Sequence, residues 1–408
     1  MSKAMGVIAL LALAACGPRP LGSTTPGEGS PANPGAAGSS AGGAGGRTAT
    51  AGATGTASGG VVGTAGAPAT PLRISGSEAL RRIAPVLWNQ QPDDDLNVAA
   101  TPGRLATTAD LAIIIEQMLA DPRAAEGVGA FYRWWLELDR VATLHKDPML
   151  FPDFTPALQA DMVQETIAFG VDTTLNDDSF QTLMTASWSF INERLASLYG
   201  VAGVIGDDLR RVPLPAGQRA GLLTQPALQA LGSLETRNSP SHRGSYILNR
   251  FYCQQIPFPP ASLPPFTVPP GMTVRAALVA DVQMATCNAC HIAIDPPGLA
   301  FEGFDAIGRA RTTDNGAPVD TTGRFLLPSK ASFVEFYGPV DLAKIVATDS
   351  TAENCMAKQW LSFALGRAVG EADQPSVTKV DAAFAASAFN LKALIVAVLT
   401  SDAFLTPR

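Results

Sequence analysis

Histidine is nearly absent from this chain, with three residues among 408, and cysteine is limited to five. A site built from clustered imidazoles is therefore excluded. Apolar residues nowhere run for eighteen consecutive positions, so no segment reads as a transmembrane helix. Basic residues form no stripe and the formal charge is −7, which argues against nucleic acid as a partner. The sequence contains no G-x-S-x-G elbow, no H-E-x-x-H and no phosphate-cradling glycine loop. Alternating strand patterns with hairpin turns are scarce, and the chain reads as mainly α.

What is present is concentrated in one pentapeptide, Cys287-Asn288-Ala289-Cys290-His291. Two thiols three positions apart can reach the two vinyl groups of one porphyrin, and the imidazole that follows is then held against the iron as its proximal ligand. The spacing predicts one covalently attached haem c at Cys287, Cys290 and His291. Two other readings use the same residues. Cys287 and Cys290 could form a structural disulfide with His291 as a bystander, or the three could join Cys253 or Cys355 around zinc, which needs four ligands. Only one C-x-x-C-H occurs, so the chain does not pass electrons between two haems of its own.

The amino terminus bears on the choice, because c-type haem is attached outside the cytoplasm. Residues 1–15 carry Lys3 followed by a short apolar run, a signal-peptide pattern. The run ends in Leu13-Ala14-Ala15-Cys16-Gly17, which looks like a bacterial lipobox with Cys16 as the lipidated residue. The expectation is an exported lipoprotein held to the membrane by its lipid anchor, at the outer membrane or cell surface. The competing expectation is an ordinary signal peptide that ends near a cysteine. With Cys16, Cys287 and Cys290 assigned, Cys253 and Cys355 are left to pair with each other; sequence separation alone does not establish that bond.

Residues 16–72, after Cys16, are almost all Gly, Ala, Ser, Thr and Pro, with Arg19, Glu28 and Arg47 as the only charges and no aromatic residue. Such a stretch buries too little apolar surface to offset its ordering entropy and reads as a disordered tether, with a mean reach of roughly 40 Å. Residues 73–255 read as a helical domain. Leu111, Ile114, Ile115, Met118 and Leu119 repeat at helical spacing behind Thr107 or Thr108 as a cap. Thr155-Pro156 opens a further helix. Residues 256–272 are a proline-rich connector, with seven prolines between Ile256 and Pro270. In residues 273–408, Trp360, Phe363 and Ala364 mark a helix that Gly366 ends. Leu391, Leu394, Ile395, Val398 and Leu399 mark another.

Several ordered stretches resemble one family: the large secreted cytochrome-like proteins of planctomycetes and myxobacteria, built from consecutive domains of unknown function. Its first piece matches Ser77-Glu78-Ala79-Leu80 through Met118-Leu119-Ala120-Asp121-Pro122-Arg123. The second matches Asn192-Glu193-Arg194-Leu195-Ala196, Ala220-Gly221-Leu222-Leu223-Thr224, Ser239-Pro240 and Arg243-Gly244. The third runs from Cys287–His291 through Ile294-Asp295-Pro296-Pro297-Gly298 to Glu302, Phe304-Asp305, Gly308 and Arg311, and the last covers Ala364-Leu365-Gly366-Arg367 and Ser401-Asp402-Ala403-Phe404. The resemblance implies a mainly α chain in which a helical domain precedes a smaller, α-helical, cytochrome c-like domain. The family's biochemistry is largely open, so it implies little about activity.

The expected function is electron transfer at the envelope through a single haem, to a redox partner protein that the sequence does not name. A non-redox scaffold or binding lipoprotein is the alternative, and a haem enzyme with an open iron site the second; the chain reads more as carrier or binder than as enzyme. Met356 is a candidate sixth ligand, with Met272, Met284 and His242 behind it. Arg311 or Arg309 could pair haem propionates. Otherwise the segment from Asp295 to Arg311 is a turn-rich loop whose acids cap helices and pair with the arginines.

Overall fold

The computed structural model describes residues 70–101, 104–176, 178–256, 266–282 and 285–407, with the side chains of 285–287 and 289 excepted. The expected signal peptide, Cys16, nearly all of the tether, much of the proline-rich connector and Met284 lie outside the described residues.

The chain is mainly helical. In order come α1 (Gly76–Trp88), α2 (Asp94–Ala99), α3 (Thr108–Ala120), α4 (Ala124–Trp135), α5 (Pro156–Leu175) and α6 (Phe180–Thr185). Strand β1 (Trp188–Ile191), α7 (Glu193–Tyr199) and strand β2 (Arg210–Pro213) follow, then α8 (Pro226–Leu231) and α9 (Pro240–Tyr252). Next are α10 (Val274–Asp281), α11 (Ala285–Leu299), and strands β3 (Thr313–Asp314), β4 (Ala317–Pro318), β5 (Thr322–Leu327) and β6 (Ser332–Tyr337). The chain ends with α12 (Pro339–Ala347), α13 (Ser350–Leu365), α14 (Gln374–Ala386), α15 (Leu391–Leu399) and α16 (Asp402–Leu405). The strands pair only as antiparallel neighbours, β1 with β2, β3 with β4 and β5 with β6.

Local chemistry sets the helix ends. Thr107 caps α3: its hydroxyl accepts from the Asp110 amide at 3.2 Å while the Asp110 carboxylate accepts from the Thr107 amide at 2.9 Å. This reciprocal box satisfies two of the helix's orphan donors. Thr155 caps α5 with Pro156 in the first turn, and α13 closes on Gly366 in the left-handed region at φ 65°. The last apolar repeat is wholly buried in α15: Leu391, Leu394, Ile395, Val398 and Leu399 are all at 0 % exposure.

Residues before and after the proline-rich segment share one core. Phe131 of α4 stacks on Trp360 of α13 with ring centroids 3.7 Å apart, and Phe363 meets Phe131 edge-on at 5.6 Å. Helix α15 packs against α3 and α5. Cys253, just past α9, is disulfide-bonded to Cys355 of α13, with Cα atoms 5.5 Å apart. The two cysteines left over after lipid and haem are assigned do pair.

Helix α9 lies against both α11 and α13. At the α9–α11 crossing, a Cβ built on Gly244 would stand 1.6 Å from the Ile294 carbonyl oxygen, and one on Gly298 would stand 1.8 Å from the Pro240 carbonyl oxygen. The two backbones touch, and any side chain at either position would force them apart. Helix α11 also continues through Pro296 and Pro297 to Leu299, so the expected loop begins five residues later than Asp295. A proline's fixed φ suits a helix; the cost is the two amides withheld from the carbonyls of Ile292 and Ala293.

Candidate functional site

The C-x-x-C-H pentapeptide lies entirely within α11. Helical spacing sets residues three and four apart on one face, so positions 287, 290 and 291 share a side of the helix. Cys290 is a free, exposed thiol. His291 on the same face is partly exposed, so this side of α11 is open to solvent.

His291 is held from behind. Its Nδ1 lies 2.9 Å and 3.0 Å from the two carboxylate oxygens of Asp295, one helical turn further on. Asp295 is buried and accepts a second hydrogen bond at 2.6 Å from the Ser241 hydroxyl on α9. Burial pushes the Asp295 carboxyl up, and the bonds from Ser241 and His291 oppose that rise. With Nδ1 engaged, Nε2 is the ring nitrogen left to bind a ligand. A carboxylate on the remote imidazole nitrogen is the usual companion of a metal-binding histidine: it fixes ring orientation and tautomer. The residues present therefore fit a covalently attached haem, with Cys287 and Cys290 for its thioethers and His291 for its iron.

The other predicted ligands are placed elsewhere. Met356 is 1 % exposed, on α13, in the core that includes Trp360, while His291 is partly exposed on α11. Arg311 is committed to protein partners. Its Nε donates to the Glu302 carbonyl at 2.9 Å and its Nη1 to Asp314 Oδ1 at 2.7 Å. A role on a propionate would require it to exchange Asp314. Arg309 reaches outward to Asp153 at 2.6 Å.

The turn after α11 is pinned by buried arginines. Arg243, 2 % exposed, donates to the carbonyls of Phe301 at 2.7 Å and Phe304 at 3.0 Å, to that of Asp305, and to the Ser233 hydroxyl at 3.0 Å. Arg219, also 2 % exposed, donates to the Gly308 carbonyl at 2.6 Å and the Thr224 carbonyl at 2.7 Å. Burial pushes Arg243 down to about 10. Glu302 accepts from the Asn238 amide, and burial pushes its carboxyl up to about 7. Charged groups so deeply placed cost several kcal/mol to desolvate unless fully hydrogen-bonded; carbonyls and the Ser233 hydroxyl supply those bonds to Arg243, whereas Arg219 Nε and Glu302 Oε2 are left without a hydrogen bond.

Sequence reasoning missed Ser241 and the role of Asp295. The signal for Asp295 was its place four residues after His291, which carries meaning only if the helix reaches Asp295 despite the proline that follows. Ser241 had none, because its contact is made across two helices.

Three family models match in succession. Residues 74–201 match a protein of unknown function (DUF1592), 219–314 a second (DUF1588) and 334–404 a third (DUF1585). The chain carries three consecutive planctomycete cytochrome-like repeat domains. No curated protein and no solved structure matches it. The DUF1588 segment holds Arg219, Asn238, Ser241, Arg243, Gly244, the pentapeptide, Asp295, Gly298, Glu302, Gly308 and Arg311. The His291 brace, the glycine crossing and the arginine-pinned turn thus all belong to one domain. DUF1592 and DUF1585 supply α4 and α13, whose rings stack, and Cys355.

Proposed function

We propose that this chain is an exported, lipid-anchored bacterial protein carrying one haem c and serving electron transfer at the cell envelope. The observation that supports it is the hydrogen-bonded series Ser241–Asp295–His291, which engages Nδ1 and leaves Nε2 available beside an exposed, free Cys290. The zinc alternative gains nothing from Cys253 and Cys355, which are bonded to each other.

A bound haem c would supply one-electron redox chemistry at iron. The chain's own residues would do the rest. Cys287 and Cys290 hold the group, and His291 offers Nε2 to the metal. Asp295 keeps the proton on Nδ1 and stops the ring from turning, while Ser241 fixes Asp295 from α9. Met356, buried on α13, stays the candidate sixth ligand, and an open coordination position is the second reading.

The test is to co-express the full chain with a cytochrome c maturation system and measure intact mass and the reduced-minus-oxidised spectrum. One haem per chain, with Soret and α bands lost in the Cys287→Ser/Cys290→Ser variant, is expected. Mature protein whose two sulfurs are joined only to each other would reject the proposal in favour of a scaffold. Carbon monoxide binding by the reduced form separates an open site from a six-coordinate carrier. Loss of membrane association in Cys16→Ser tests the anchor.

A further inference from the structure

Glu302 and Asn238 meet at the arginine-pinned turn, sealed from solvent at 1 % and 0 % exposure. The Asn238 amide Nδ2 donates to Glu302 Oε1. The two oxygens that remain, Asn238 Oδ1 and Glu302 Oε2, have no hydrogen bond. Both are acceptors while the carboxyl is ionised, so neither can satisfy the other, and buried acceptors left open are costly. One proton on Oε2 removes both defects. A neutral carboxyl has one O–H to donate. Given to Oδ1, it closes the two-bond ring that a carboxylic acid and a primary amide form with each other. Nothing larger than a proton has to reach these atoms.

The surrounding charges offer the ionised carboxylate a different partner. Arg311 Nη2, itself without a hydrogen bond, lies 3.6 Å from Oε2, within ion-pair range. Arg311 Nη1 is bonded to Asp314, a like charge that disfavours ionised Glu302. Arg243 faces the carboxyl from α9, but its guanidinium is given to the carbonyls of Phe301, Phe304 and Asp305. Arg275 of α10 is given to Asp320 and to the Thr322 carbonyl. Arg237, beside Asn238, also feels the Glu302 charge. Burial is the largest influence and holds the carboxyl up at about 7, against the pull of Arg311, Arg243 and Arg275. The neutral and ionised states therefore lie close in free energy near neutral pH.

We propose that Glu302 is a proton-operated switch that changes partners between Asn238 and Arg311. Neutral Glu302 donates from Oε2 to Asn238 Oδ1 while Oε1 keeps its bond from Nδ2. On losing that proton to solvent it gives up Oδ1 and turns Oε2 to Arg311 Nη2, since a guanidinium pairs a carboxylate strongly. Arg311 then answers to two carboxylates, and its hold on Asp314 weakens. The other Asp314 oxygen accepts from the Val274 amide at 2.6 Å, at the start of α10, so the exchange is passed on to that helix. The switch uses neither His291 nor the cysteines, and it stands whether or not a haem is bound.

The test is infrared difference spectroscopy of the full chain, its glutamates labelled with carbon-13, titrated from about pH 5 to about pH 9. A carboxylic C=O band carrying the glutamate isotope shift should fade near neutral pH, and Glu302→Gln should remove part of it. Glu165 and Glu353, also raised to about 7, supply the remainder. Arg311→Gln takes away the partner of the ionised state and should move the Glu302 component up by about one pH unit or more. Urea midpoints at the acid end of the range test the amide. Glu302→Gln can rebuild both bonds to Asn238 and should stay clearly above Glu302→Leu, which leaves both Asn238 groups open. Identical pH difference spectra for Glu302→Gln and the parent would overturn the proposal, because Glu302 then keeps one state throughout. So would a Gln variant that unfolds no later than the Leu variant, or a Glu302 component that ignores Arg311→Gln.

Discussion

Gly244→Ala separates two opposite expectations. Alanine is the better helix former, so propensity alone predicts a gain of about 1 kcal/mol. The structure predicts a loss. The new methyl would sit 1.6 Å from the Ile294 carbonyl oxygen and 2.8 Å from its carbon, where real contacts essentially never fall below 3.0 Å. Both clashing atoms are backbone, so no side chain can rotate away. Helices α9 and α11 would have to part by more than about 1 Å, and a gap of that size forfeits up to half of each dispersion contact along the crossing. Overpacking of this kind costs about 3 kcal/mol, near the top of its usual range. Gly298→Ala, with its methyl 1.8 Å from the Pro240 carbonyl oxygen, should behave alike. The double variant should cost less than the sum, because one separation relieves both clashes. Urea unfolding of the full chain without reductant measures all three. A midpoint for Gly244→Ala equal to or above that of the parent would refute the backbone-contact reasoning.

Other outcomes follow from the same structure. Replacing Cys253 and Cys355 by serine opens a loop closed at a sequence separation of 102 and should lower stability by roughly 4 to 5 kcal/mol on the loop-entropy model; urea midpoints unchanged by the replacement would contradict this. Arg243→Met should cost at least about 3 kcal/mol, since it orphans the carbonyls of Phe301, Phe304 and Asp305, and a near-parental midpoint would show that the turn holds itself. Glu165 is wholly buried, receives bonds from Ser189 and Tyr199, and is pushed by desolvation up to about 7. Its raised folded value means that stability is greatest below the unfolded value of 4.5 and is lost as pH climbs to about 7. That loss is on the order of 3 kcal/mol. Glu165→Gln should flatten this slope, and an unaltered slope would assign it to Glu302 or Glu353, both also raised to about 7.

Much of this was legible where the signal is local. The caps at Thr107 and Thr155, the end at Gly366 and the buried repeat of α15 all follow from neighbours in sequence. What escaped depends on contacts between distant segments. Gly244 and Gly298 look like helix-weakening residues until each is seen against the other's backbone. Pro296 and Pro297 suggest a loop that begins at Asp295, yet the helix runs through them, so Asp295 keeps helical geometry one turn after His291. The hairpin β5–β6 escaped because its burial is sparse: Phe325, Leu327 and Phe336 face inward while most neighbours are exposed.

These long-range contacts converge on one element. Ser241 braces Asp295, and through it His291, from the first turn of α9. Arg243 holds the turn that ends α11, and Gly244 lets the two helices meet. Cys253, at the far end, fastens α9 to α13. A covalently attached cofactor needs its ligand imidazole fixed in direction, and a lone helix with an open side cannot supply that stiffness. Helix α9 can, because it is tied at both ends and grips α11 between them. A perturbation at the disulfide should therefore be felt at His291 even though the two share no contact: slackening α9 loosens Ser241, then Asp295, then the ring.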